Sequence, residues 1–254
     1  RFTSSRFLVT QVTPQPSLNS SRLVRFLGGL GVADVAVSHE QFARRLGELI
    51  DLPDSIKLSA VHADLATSEF EQSCATAHSA REDFLRVRNF MLQSVSKSFA
   101  PGSGSAGIRL PGSDDADTAG DDALREAYLR FYSSHQRVIG FKVRNLHTRT
   151  REALAGHSPE LARLCTLDAA IGTALSGHTR RYFTAVPKLL DRRFRQLLAP
   201  PGDAAGTEAD QRVRALTRFQ GEMRELLLAE IEARLLPVLG LIEALEETMT
   251  TTKI

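Results

Sequence analysis

Apolar residues recur at intervals of three and four over most of the chain, the spacing of one buried helix face. Leu23, Val24, Phe26 and Leu27 predict a short helix from about Ser20. Gly28, Gly29 and Gly31 follow as candidates for its left-handed cap. Ser38 and Gln41 form a capping-box pattern ahead of Phe42, Leu46, Leu49 and Ile50. Asp51-Leu52-Pro53 ends that helix, and Pro53 suits the first turn of the next, which carries Ile56, Leu58, Val61 and Leu65. A longer helix is predicted over about 68–99 on Phe70, Cys74, Ala77, Phe84, Leu85, Met91, Leu92 and Val95, with Ala80 as its candidate break.

The most regular seam, Leu124, Tyr128, Phe131, Tyr132, Val138, Ile139, Val143 and Leu146, predicts a helix over about 122–155 capped by Asp121 or Asp122. His157-Ser158-Pro159-Glu160 stops it and starts another, with Ser158 as N-cap and Pro159 at the first helical position. That helix carries Leu161, Leu164, Cys165, Ile171, Leu175 and Tyr182. Pro187 is expected to kink or end it, with Leu189, Leu190, Phe194, Leu197 and Leu198 on the continuation. Pro200-Pro201-Gly202 marks a further break. The last helices carry Val213, Leu216, Phe219, Met223, Leu226, Leu227 and Ile231, then Leu235 to Leu245 across Pro237.

Two segments depart from this rhythm. Residues 1–19 hold Pro14 and Pro16 among polar residues and read as an irregular lead-in. Residues 100–121, rich in Gly, Ser and Asp, read as a flexible linker. Alternating strand patterns with hairpin turns are missing. The expectation is an all-α fold of antiparallel helical hairpins or a bundle, in two halves: 20–99, and 122–254 with its long basic helix.

Composition agrees. Of 254 residues, 42% are hydrophobic, enough for a sizeable core, and 24% are charged, an ordinary globular share. No stretch approaches the roughly 20 apolar residues of a membrane span. The basic start Arg1–Val9 has too short an apolar run for a signal sequence. Cys74 and Cys165, the two cysteines, make neither a disulfide framework nor a zinc pattern, so a soluble, cytoplasmic chain is expected.

Known catalytic and metal patterns are absent. The seven histidines form no His-Glu-x-x-His spacing, the Gly28–Gly31 cluster lacks the strand and Lys-Ser/Thr of a phosphate loop, and Asp114, Asp115 and Asp117 lack EF-hand spacing. His135 falls within an apolar seam and reads as a structural, hydrogen-bonded histidine. Asp168, close to Cys165, raises rather than lowers a thiol pKa, which argues against a nucleophile. No catalytic residue, metal ligand or cofactor is therefore assigned. An enzyme site scattered over Tyr132, His135 and Arg144 is the weakest of the functional readings.

Charge is more telling. The formal net charge is only +2, yet residues 125–195 hold fourteen Lys/Arg against five Asp/Glu. Arg130, Arg137, Arg144 and Arg151 repeat every seven residues, which at about 100° per residue drifts only ~20° per step and keeps them in one stripe. Such a stripe is either a solvated helix face or a surface for an acidic protein, a nucleic acid or phospholipid. Arg192, Arg193 and Arg195 form a second basic group. The apolar segment 235–245, with Leu236, Leu239 and Ile242, reads as core or as a docking helix for a partner's groove.

Several stretches resemble an uncharacterised bacterial family of helical proteins, a domain of unknown function. They are Ser20-Ser21-Arg22-Leu23-Val24-Arg25-Phe26-Leu27, residues 164–175, Val186-Pro187-Lys188-Leu189-Leu190-Asp191-Arg192-Arg193-Phe194, and the ending from Leu226-Leu227-Leu228-Ala229-Glu230 to Gly240-Leu241-Ile242-Glu243-Ala244-Leu245. The resemblance spans most of the chain outside 100–120 and assigns no functional residue. It implies gene neighbours like the flagellar-stator channel and outer-membrane-type peptidoglycan-binding proteins. The implied role is a cytoplasmic accessory of an ion-driven envelope or defence complex. The expected function is a non-enzymatic scaffold or adaptor for protein partners, acidic ones or a membrane-complex subunit, with homo-oligomerisation a further expectation. Nucleic-acid binding through the stripe is the alternative.

Overall fold

The computed structural model describes residues 22–23, 44, 47–65, 70, 77–100, 108–111, 120–199 and 207–251. Among them the regular structure is helical and there is no strand, so the fold is all-α. The lead-in, the Gly28–Gly31 cluster, the Ser38 capping box, Cys74 and the 200–206 break lie outside the described residues, as does most of 100–121.

Helix α1 (Leu52–Leu65) starts where Asp51 Oδ1 accepts the Asp54 N–H at 2.9 Å. Helix α2 (Ala77–Ser98) occupies the later part of the predicted 68–99 helix and runs through Ala80 without a break. Gly120, with φ +61°, takes the left-handed conformation that glycine suits and leads into α3 (Gly120–Ala155). Ser158 caps α4 (Pro159–Ala174) by accepting the Leu161 N–H at 3.2 Å, with Pro159 at its start as expected. Helix α5 (Ser176–Leu198) and helix α6 (Glu208–Thr251) complete the chain. Thr207 caps α6 through the Asp210 N–H at 3.3 Å and returns its own hydroxyl to Asp210 Oδ2 at 2.7 Å.

The side-chain pairs fix the directions. α2 runs antiparallel to α3, with Asp83 on Arg149 and Phe99 against Phe131, and antiparallel to α6, with Arg81 on Glu246. α5 runs antiparallel to both as well: Arg125 meets Asp191, and Arg193 meets Glu222. The central pair, α3 and α6, is parallel, with Tyr128 against Phe219 and Leu154 clustered with Leu241 and Leu245. α2 and α5 flank this pair and make no substantial contact with each other. α2 with α3 and α5 with α6, each pair consecutive among the described helices, are therefore antiparallel, but the pair that carries most of the core is not.

One core draws on both sides of the 100–121 segment. Leu23, Phe84, Met91 and Val95 pack with Tyr128, Tyr132, Phe194, Phe219 and Met223. Ile108 and Leu110, inside the segment read as linker, are partly buried against that core. Their side chains anchor the crossing at its middle. Tyr128, Phe194 and Phe219 meet edge-on or tilted, at centroid distances of 6.1, 5.5 and 5.1 Å, and tie α3, α5 and α6 together. A second cluster, Ala80, Leu154, Leu161, Cys165, Leu241 and Leu245, closes the other end.

Three details differ from the pattern-based expectation. Val138 was placed in the α3 seam but is 41% exposed, because it lies one residue off the buried Ile139 and rotates out of the face. Of the kink or end expected at Pro187, the end falls instead at Leu175, where α4 closes with Leu175 N–H on Ile171 O at 2.9 Å. Pro187 stays inside α5. Its ring lacks the N–H that Phe183 O would accept, and the Gln136 side-chain amide donates to that oxygen at 3.0 Å instead. Pro237 likewise stays inside the single long helix α6.

Candidate anion-binding basin

The chain turns at Leu175 between α4 and α5, and this elbow faces the length of α3. Between them lies an open basin of about 2080 Å³. α3 forms one wall, the elbow the other, and α6 contributes Ala233, Arg234 and Pro237 to the floor. The arginine stripe lines it: Arg130, Arg137, Arg144 and Arg151 all stand in the α3 wall. The row is thus the side of a concavity, where field lines are focused more than on a convex helix face. Arg180, His178 and His147 add to the same lining, and Glu126 is its only acidic member among the described residues.

Three of these arginines are balanced. Arg130 Nη1 lies 3.9 Å from Glu126, Arg151 Nε lies 2.6 Å from Asp168 Oδ2, and Arg234 Nη2 lies 2.6 Å from Glu230. Burial works against the Asp168 carboxylate, but His147 close beside it and the hydrogen-bonded Arg151 hold its pKa below the usual value. His147 Nε2 comes within 2.7 Å of Asp168 Oδ2 without the alignment of a good hydrogen bond. Arg137, Arg144 and Arg180 have no carboxylate partner among the described residues; Arg137 donates to Ser134 Oγ at 3.1 Å. Among the described residues the surplus charge of the basin sits on these three.

Beneath the basin lies a polar knot. Glu230 is fully buried and accepts the Tyr132 hydroxyl at 2.8 Å and the Gln136 amide at 2.8 Å, besides pairing with Arg234. Burial, reinforced by Glu230, pushes the Tyr132 phenol well above its ordinary pKa, so it serves as a donor. The Arg234 guanidinium also stacks over Phe183 at 3.6 Å. Removing one partner of a buried pair such as Arg234–Glu230 costs about 3–5 kcal/mol.

The other sequence candidates fall elsewhere. Arg193 is held by Glu222 at 2.6 Å and Arg195 lies 3.2 Å from Asp191, which leaves Arg192 as the exposed cation without an ion pair in that group among the described residues. Burial opposes the Glu222 carboxylate, but Arg193 and Arg218 hold its pKa below the usual value. Ile242 is only 3% exposed and Leu239 packs against the core, so of the apolar segment Leu236, 55% exposed, offers the surface. His135 is buried with its ring edge-on to Phe131 at 4.7 Å, as a structural histidine, and its Nε2 has no hydrogen-bond partner among the described residues. Tyr132, His135 and Arg144 do not converge: the first binds Glu230, the second packs on Phe131, the third stands in the basin. No group of three or more His, Cys, Asp or Glu side chains among the described residues is placed to hold a metal ion. No described helix is long and apolar enough to cross a membrane.

Sequence reading missed Arg180, Arg234 and Gly140, because they come from three helices and share no spacing. The only signal lay in the charge surplus over 125–195. The family model described as "Protein of unknown function (DUF3348)" matches residues 9–247, and the chain belongs to that family. No curated protein and no solved structure matches it.

Proposed function

For this member of the family we propose a non-enzymatic helical scaffold or adaptor that receives an acidic segment of a protein partner in the α3 basin. The observation that carries the reading is the wall itself: a seven-residue arginine row lining a concave surface in which Arg137, Arg144 and Arg180 have no carboxylate partner among the described residues. Unneutralised guanidinium groups in a concavity attract carboxylate-rich chains and steer their approach. The apolar surface of Leu129, Phe183, Pro187 and Pro237 supplies contact area between the charges. A cytoplasmic accessory of an ion-driven envelope or defence complex is the setting this reading carries forward, and it adds no residue to the site.

The test is fluorescence anisotropy with a labelled Asp/Glu-rich peptide, set against single-stranded DNA of equal charge. The expected result is peptide binding that weakens as salt rises and is lost in the triple variant Arg137→Ala, Arg144→Ala, Arg180→Ala. DNA bound more tightly than the peptide, and lost in the same variant, selects the nucleic-acid reading in its place.

A further inference from the structure

Gly140 is buried in the middle of α3 and forms part of the basin wall. A Cβ at this position would lie 3.4 Å from Arg144 Nη1 and 3.5 Å from Arg234 Nη1. Two guanidinium nitrogens from different helices thus converge on the spot that a missing side chain leaves open. Arg234 is not free to swing. Its Nε and Nη2 hold Glu230 at 2.8 and 2.6 Å and its plane lies over Phe183, so Nη1 is the nitrogen not engaged by that carboxylate. Arg144 arrives from one helical turn along α3 and makes no ion pair among the described residues.

The charge at this spot is countable. The positive charge of Arg234 is matched by buried Glu230, whereas that of Arg144 has no carboxylate counterpart among the described residues. One unmatched positive charge and two convergent N–H donors suit a group with one negative charge and two oxygens. A dianionic phosphate brings a second charge that nothing there neutralises. We infer that the space over Gly140 is the seat of a single carboxylate, an Asp or Glu side chain of the incoming acidic segment, bridged by Arg144 and Arg234. This rests on the basin reading above and names the residue that anchors the segment.

The experiment uses the same labelled acidic peptide with four single variants, each checked by thermal melting. In Gly140→Ala the new methyl meets both nitrogens at ordinary contact distance, so the protein folds. Its Tm is at or above that of the wild type, because Ala favours the helix interior over Gly. Peptide binding weakens about tenfold, the loss of a charge-assisted hydrogen bond, in Gly140→Ala and in Arg144→Gln. Gly221→Ala, a change inside α6 where the new methyl meets nothing within 4 Å and which lies outside the basin lining, stays within about twofold of wild type on the same scale. Arg137→Ala weakens binding through the general field alone. Phosphate displaces the peptide no better than acetate at equal ionic strength.

Wild-type affinity in Gly140→Ala, with Arg137→Ala still weakened, removes the seat and leaves the basin standing. Equal losses in Gly140→Ala and Gly221→Ala, or preferential displacement by phosphate, also overturn it. No binding of the peptide to the wild type overturns the seat and the basin reading together.

Discussion

Gln136 donates its side-chain amide to the carbonyl of Phe183 at 3.0 Å, the oxygen that Pro187 leaves without a helical partner. The same nitrogen reaches Glu230 at 2.8 Å, so one side chain on α3 repairs α5 and helps satisfy the buried carboxylate of α6. Gln136→Leu is expected to cost about 2 kcal/mol in urea denaturation, since it strands a buried acceptor. In a Pro187→Ala background the backbone N–H returns and the cost of Gln136→Leu falls by about 0.5 kcal/mol or more. Strictly additive effects in the double variant contradict this coupling.

His135 gives the fold a pH dependence of defined sign. Burial lowers its pKa from the ordinary 6.5 to about 4, so the folded chain takes up the proton later than the unfolded one as pH falls. The stabilisation is complete above pH 6.5 and is lost between there and about pH 4, a loss on the order of 2 kcal/mol after allowing for partial screening. Asp168 and Glu222, whose pKa values lie below the usual carboxylate range, lose their contribution at lower pH. Denaturation between pH 7 and 5 therefore reads mainly the histidine. His135→Leu flattens the stability profile in that window; an unchanged slope sinks the assignment.

Cys165 is expected to be inert as a nucleophile. Burial, with Asp168 adding to it, pushes the thiol pKa up to about 11. In a Cys74→Ser variant, a disulfide reagent at pH 8 should label the native protein at least about a hundredfold more slowly than the urea-unfolded chain. Comparable rates contradict the buried, uncharged thiol.

Local chemistry made much of this legible in advance. The Ser158-Pro159 start of α4, the Pro53 turn of α1 and the buried seam from Leu124 to Leu146 follow from nearest neighbours along one helix, apart from Val138. Pro187 reads as a kink or an end because the amide that compensates it comes from Gln136, 47 residues before the Phe183 carbonyl that it serves. The real break at Leu175 has no proline to announce it. The arginine row was visible as a stripe, but a stripe has no curvature. Only the elbow between α4 and α5 makes it the wall of a basin, and only the parallel packing of α6 on α3 brings Arg234 to Gly140.

The location of binding is tested most directly by arginine modification with phenylglyoxal, read by peptide mass spectrometry with and without the acidic peptide. Arg137, Arg144 and Arg180 should be protected several-fold, while Arg192, exposed on the same protein but outside the basin, keeps its reactivity. Protection of Arg192 to the same degree, or none at the three basin arginines, contradicts the account.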